Sequence, residues 1–204
     1  MGCSRHPHPG DFTDSKTGRT KGTRATARVL LVRCVRAHAA AGGVAWRFTF
    51  RDMSPSDSAS VHFKTVKPVQ ATQRSHINFV ACDTASWEQA AMFQLEAAAA
   101  TGHVVCYARN ERMEFNIPYE YEGVSRVYEP DFLVKLASGV TLIVEIKGQF
   151  HEETEMKHQA ADQWLRAVNR WGQLGRWDFL VCRDPQVLGV MVAQAVAEWA
   201  GRRS

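Results

Sequence analysis

At 204 residues the chain has room for one ordinary domain and too little for two large ones. Apolar residues make up 45% and charged residues 23%, a balance that argues against wholesale disorder. The net charge of +4 is unevenly spread: residues 1–57 carry ten Lys/Arg against four Asp/Glu, and residues 58–204 carry fifteen against seventeen, so the basicity belongs to the N-terminal arm. Five cysteines with no C-x-x-C pair exclude a disulfide framework or a zinc cage and suit a reducing cytoplasm. No apolar run approaches the roughly 18 residues of a membrane span.

Residues 1–57 read as a basic arm, disordered or poorly structured, because residues 1–27 hold almost no large apolar side chain. Met1-Gly2-Cys3 does not complete a myristoylation signal, since His6 stands where Ser or Thr is needed. The Arg-rich start has the flavour of a transit peptide, which Asp11 and Asp14 weaken. Residues 58–204 read as the folded domain. Val61–Val66 alternates apolar and polar residues as a half-buried strand does, and Ile77–Val80 is a second strand candidate. Ser86-Trp87-Glu88-Gln89 is a capping box opening an Ala-rich helix that runs to Ala100, and Gly102 closes it.

Strands are expected at Val104–Tyr107, Met113–Tyr121, Val127–Leu136 and Thr141–Lys147, the last two joined by the hairpin-length turn Ala137-Ser138-Gly139. A polar helix follows from about Glu152 to Arg170, then a strand at Trp177–Cys182 and a helix from Val187 to Trp199. The expected fold class is α/β, a mixed central sheet flanked by helices in α-β-β-β-α-β order.

Alternate residues of a strand share a face, so Glu145 and Lys147 point the same way, about 6.6 Å apart along the chain. Ile143 shares that face, and Leu142, Val144 and Ile146 point to the other. Antiparallel pairing through the short turn brings Asp131 beside Glu145, so two carboxylates and an ammonium converge at one edge of the sheet. That donor set suits a hard divalent cation such as Mg²⁺, which takes oxygen ligands and is held by one or two carboxylates and waters. The competing interpretation is a solvated edge-strand salt bridge worth little. Asp/Glu-x-Lys occurs three times in the chain, and only Glu145-Ile146-Lys147 lies on an apolar strand.

Pro130-Asp131 with Glu145-x-Lys147 in this element order resembles the PD-(D/E)xK nuclease superfamily. More narrowly, residues from about 60 to 190 resemble the C-terminal endonuclease domain of type III restriction enzyme Res subunits. The segments that carry the resemblance include Phe63-Lys64-Thr65-Val66-Lys67-Pro68, Ser75-His76-Ile77-Asn78-Phe79-Val80, Tyr128-Glu129-Pro130-Asp131-Phe132, Leu142–Gly148, Val168-Asn169 and Gly175-Arg176-Trp177. The resemblance implies a restriction-endonuclease-like fold and a metal-dependent endodeoxyribonuclease working with Mg²⁺, for which Mn²⁺ substitutes. It implies that Asp131 and Glu145 ligate the metal with the Ile146 carbonyl as a third ligand, and that Lys147 is the catalytic lysine.

Glu88 matches the acidic residue that many such folds place near the metal, although an acid in a first helical turn is also stabilised by the helix dipole alone. Glu96 is a weaker candidate. Gln149 and Lys157 are candidate DNA contacts, whereas His76 reads as a structural hydrogen-bonder and the tryptophans as core. The implied substrate is double-stranded DNA. In a restriction-modification setting the partners are a helicase/translocase and a methyltransferase subunit, and two nicks in a duplex call for a homodimer or a paired encounter. The chain carries no G-x-x-x-x-G-K-[ST] loop, so no ATP site is expected and the resemblance is to a detached nuclease module. Two other readings stay open: a non-catalytic DNA-binding or interaction module of the same fold, and a transposon-type endonuclease.

Overall fold

The computed structural model describes residues 33–34, 50–52, 65–67, 69–75, 79–81, 87–111, 113, 115–147 and 152–202. Within the arm, strands β1 (Arg33–Cys34) and β2 (Phe50–Asp52) pair antiparallel. Val61–Lys64 of the first expected strand lie outside the described residues, and Thr65 and Val66 are not in a strand. Strands β3 (Val69–Ala71) and β4 (Phe79–Ala81) form a second antiparallel pair.

Helix α1 spans Trp87–Ala100. Ser86 of the expected capping box lies outside the described residues. Ala91, Met92, Leu95, Ala98 and Ala99 are buried, the spacing of one helical face. At its end Gly102 takes φ +81°, and the N–H of His103 donates to the Ala98 carbonyl at 2.9 Å, the closure that a left-handed residue after the helix makes available.

The central sheet contains β5 (Val104–Arg109), β8 (Phe132–Leu136), β9 (Thr141–Ile146) and β10 (Trp177–Cys182), in spatial order β10-β9-β8-β5. Its β5/β8 and β8/β9 pairs are antiparallel and its β9/β10 pair is parallel. The parallel pair needs a crossover, which helix α2 (Glu152–Trp171) supplies. A 3-10 turn (Pro185–Val187), capped by the Asp184 side chain, leads into helix α3 (Leu188–Gly201). Apart from one inserted hairpin, the order through this part of the chain is α-β-β-β-α-β, and the chain is α/β.

The inserted hairpin corrects the expectation of one strand over Val127–Leu136. Its strands are β6 (Ile117–Tyr121) and β7 (Val124–Tyr128), paired antiparallel, and Glu129-Pro130-Asp131 separates β7 from β8. Pro130 has no N–H for a ladder, so the chain leaves one sheet there and enters another. Glu122 and Gly123, at φ 52° and 73°, make the two-residue turn, a backbone in which the left-handed region is needed twice.

Two apolar layers cover the sheet. On one face α1 and α3 pack Met92, Leu95, Leu188 and Val192 against Phe132, Val134, Leu142 and Val144. On the other, α2, the hairpin and Phe115 just before it pack Trp164, Val168, Phe115 and Ile117 against Leu133, Ile143 and Trp177. Trp164 meets Phe115 and Trp177 edge-on, with ring centroids 5.3 and 5.1 Å away. The Asn169 side chain clamps the start of β10, its Oδ1 accepting from Trp177 N at 2.9 Å and its Nδ2 donating to Trp177 O at 2.8 Å. Among the described residues, no helix is long and apolar enough to cross a membrane.

Candidate functional site

The register of the sheet decides what meets at its end. Phe132 stands opposite Val144 across β8 and β9, so Asp131, one step before β8, faces Glu145, one step further along β9. Glu145 is 7% exposed. Asp131 is pinned twice: its backbone carbonyl accepts from Asn110 N at 2.9 Å, and its Oδ2 accepts from Ile146 N at 2.7 Å. Glu145 Oε2 accepts from the Tyr128 hydroxyl at 2.8 Å. Each carboxylate therefore has one oxygen committed to the protein and a second with no hydrogen-bond partner among the described residues.

The environment disfavours charge on both acids. Burial, and after it the neighbouring Asp131 charge, push the Glu145 carboxyl from 4.5 up to about 7, against the pull of the Tyr128 hydrogen bond and of Lys147 and Lys157. Burial raises Asp131 as well; the Ile146 N–H opposes the rise, and Glu88 adds to it. The Tyr128 hydroxyl is held neutral by burial and by the Glu145 charge. Two buried carboxylates that share a site and resist ionising together are relieved by a cation placed between them.

Lys147 follows β9 directly. Its N–H donates to Cys182 O at 2.9 Å, continuing the parallel pairing by one step, and alternation puts its side chain on the Glu145 face. The positive charge of Lys147 favours the ionised forms of both Asp131 and Glu145. Ile146 sits between the pair at the last ladder position of β9. Lys157, on α2, bridges Glu153 at 3.3 Å and stands 5.9 Å from the Tyr119 ring centroid, close enough for its charge to favour the Glu145 carboxylate. Gln149 and His76 lie outside the described residues.

Glu88, in the first turn of α1, is near enough to raise Asp131, yet its Oε2 is paired with Arg109 Nη2 at 3.1 Å. Glu96 is elsewhere: its Oε1 accepts from Gln73 N, Arg74 N and the Tyr107 hydroxyl, which corrects its candidacy to that of a clamp between α1 and the segment before β4. The tryptophan expectation holds for Trp164 and Trp177, which are buried, whereas Trp87 is exposed.

Reading the sequence missed Arg109 and Tyr128. Arg109, 8% exposed at the end of β5, also pairs Glu111 at 3.3 Å and donates to the Ala81 carbonyl. The available signals were an arginine ending an apolar strand, where a buried charge must be paired, and a tyrosine in a strand next to Pro-Asp, where a buried hydroxyl needs a partner. Replacing Arg109 with alanine leaves Glu88, Glu111 and a carbonyl without their common cation. The expected loss is about 3 kcal/mol of stability in urea unfolding; a loss below ~1 kcal/mol would mean that the network is solvated.

Among the described residues no group of three or more His, Cys, Asp or Glu side chains could hold a metal ion as a closed cage. Mg²⁺ does not require one, because it keeps several waters and is held by one or two carboxylates. Asp131 and Glu145, each with an uncommitted oxygen, fit that demand. Comparison of the chain with protein-family models, with curated proteins and with solved structures finds no match.

Proposed function

We propose that this protein is a Mg²⁺-dependent endonuclease of the PD-(D/E)xK type, hydrolysing phosphodiester bonds of double-stranded DNA, with the restriction-endonuclease-like fold. The observation that carries the reading is the facing pair Asp131 and Glu145 on neighbouring antiparallel strands, with Lys147 beside them. The α-β-β-β-α-β order adds support, since it puts the ends of α1, β5, β8, β9 and β10 around one site.

Asp131 and Glu145, with the Ile146 carbonyl, would hold the metal. When bound, Mg²⁺ polarises the phosphodiester and lowers the pKa of a coordinated water. Lys147 orients the attacking water and balances the negative charge that develops on the phosphate. Tyr128 holds Glu145 in one rotamer, and the Ile146 N–H does the same for Asp131, so both acids are pre-positioned. Lys157 and Gln149 are the proposed DNA contacts, and Glu88 is a proposed auxiliary acid at the flank. As a detached nuclease module the chain would act with a translocase and a methyltransferase subunit, and as a dimer to cut both strands.

The balance of fifteen Lys/Arg against seventeen Asp/Glu in residues 58–204 offers little generic attraction for phosphate, which weighs against a nuclease that acts alone and favours a second reading, a non-catalytic DNA-binding or interaction module of the same fold. Supercoiled-plasmid cleavage separates the two. The endonuclease nicks with Mg²⁺, stops with EDTA, and loses nicking in Lys147→Ala and Glu145→Ala. Metal-independent, salt-sensitive binding without nicking points to the binding module instead.

A further inference from the structure

The buried guanidinium of Arg109, the last residue of β5, is held at three points. Its Nη2 pairs with Glu88 at 3.1 Å, its Nη1 pairs with Glu111 at 3.3 Å, and Nη1 also donates to the Ala81 carbonyl. The next residue fixes the corner to the carboxylate pair. Asn110 N donates to Asp131 O at 2.9 Å, and the Asn110 side chain exchanges two hydrogen bonds with the Phe115 backbone, at 2.8 and 3.2 Å.

The sheet separates this cluster from the second metal-holding acid. Arg109 stands opposite Phe132 in the β5/β8 pair, so it leaves the sheet on the face covered by α1, as Phe132 does. Glu145 and Lys147 alternate with Ile143 and leave it on the face covered by α2. Asp131 stands at the sheet end between the two: Arg109 and Lys147 both favour its ionised form, and Glu88 disfavours it.

The cluster is also balanced in charge. Lys67 reaches Glu111 at 3.6 Å, so two acids, Glu88 and Glu111, meet two cations, Lys67 and Arg109. A divalent ion drawn to Glu88 would have to strip that acid from a buried guanidinium, which is strongly unfavourable. It would then sit close to a positive charge that repels it. Among the described residues, no three His, Cys, Asp or Glu side chains are placed to share an ion, so Glu88 does not stand as a third ligand beside the pair.

We infer that Arg109 is the resident cation of the α1 face, holding Glu88 off the metal and limiting the site to one divalent ion. Arg109 is a positioning residue, acting through Glu88 and through its charge beside Asp131. The inference rests on the nuclease reading only in taking Asp131 and Glu145 as the acids that hold the ion.

Calorimetric titration of the full chain with Mn²⁺, without DNA, reads the number of ions and their affinity independently of nicking. The parent is expected to bind one ion. Asp131→Asn should weaken it at least about 100-fold, as loss of a direct ligand exceeds the usual loss of an outer partner. Glu88→Gln should stay within about tenfold of the parent, because it removes only a charge acting through space. Arg109→Gln releases Glu88 toward Asp131 and should bind a second ion, a gain absent from the Glu88→Gln/Arg109→Gln double variant. A guanidinium with only a structural role would leave the count at one.

Two ions in the parent, one of them lost in Glu88→Gln, overturn the inference. So does a Glu88→Gln variant weakened as much as Asp131→Asn, or a folded Arg109→Gln variant that still binds one ion. The first two results come from proteins that keep Arg109, so they decide the matter even where Arg109→Gln does not fold. A folded parent that binds no Mn²⁺ removes the metal reading and this inference together, whereas two bound ions remove this inference alone.

Discussion

Asp131→Asn is expected to reduce plasmid nicking in Mg²⁺ by at least about 10³-fold while the protein stays folded. The asparagine Oδ1 can still accept the hydrogen bond from Ile146 N, so the link between the start of β8 and the end of β9 survives. What disappears is the negative charge and the uncommitted oxygen facing the cation. Asp131→Ala removes the hydrogen bond as well and should be about 1 kcal/mol less stable than Asp131→Asn, yet it should show the same loss of nicking. Agreement between the two variants in activity, with a small difference in urea midpoint, separates a metal-holding role from a structural one. Nicking that survives in both removes Asp131 from the site.

A second large effect is expected with the opposite sign for stability. Glu145 titrates near 4.5 in the unfolded chain and about 7 in the fold, because burial and the Asp131 charge penalise the ionised form. Between those values the folded protein binds more protons than the unfolded one, so metal-free stability falls as pH rises through that window. Above it, the carboxylate is charged in both states and the full cost, on the order of 3 kcal/mol, is present. Glu145→Gln is neutral throughout and keeps an oxygen for the Tyr128 hydroxyl.

In EDTA the variant should therefore be more stable than the parent at pH 8, by about 2–3 kcal/mol in urea unfolding. The difference should close below pH ~4.5, where the parent carboxyl is protonated in both states. Mg²⁺ should raise the stability of the parent at pH 8 and leave the variant nearly unchanged. A variant less stable than the parent at pH 8 would mean that the Glu145 charge carries no penalty and that the pair is not poised for a cation. Stability given up at a functional site is the usual trade when a reactive arrangement is held in place by its surroundings.

Most elements of the sheet and its helices were legible in the chain. Trp177–Cys182 reads as a short apolar run bounded by Gly175 and Asp184-Pro185, and it forms β10 with those same bounds. Helix α1 declared itself through its Ala-rich apolar face and Gly102, and α2 through Trp164, Leu165 and Val168 at helical spacing. The facing of Asp131 and Glu145 was also within reach, because a short turn between two alternating strands leaves few registers. The division at Glu129–Asp131 was not, although Pro130 marked it: an apolar run on both sides of a proline reads as one strand until the partners of each half are known.

Local pattern determined where the strands and helices lie, which end of β9 carries Glu145 and Lys147, and that Asp131 is one hairpin away. Those features rest on periodicities of two and 3.6 residues and on turn chemistry, which act over a few residues. The tertiary structure alone decided that Glu88 answers to Arg109, that Tyr128 holds Glu145, and that Glu96 serves as a clamp. Each of these joins elements that are distant in sequence or separated by a change of sheet. A buried charge or hydroxyl announces that it needs a partner, and only the packing of the two layers on the sheet selects which partner is in reach.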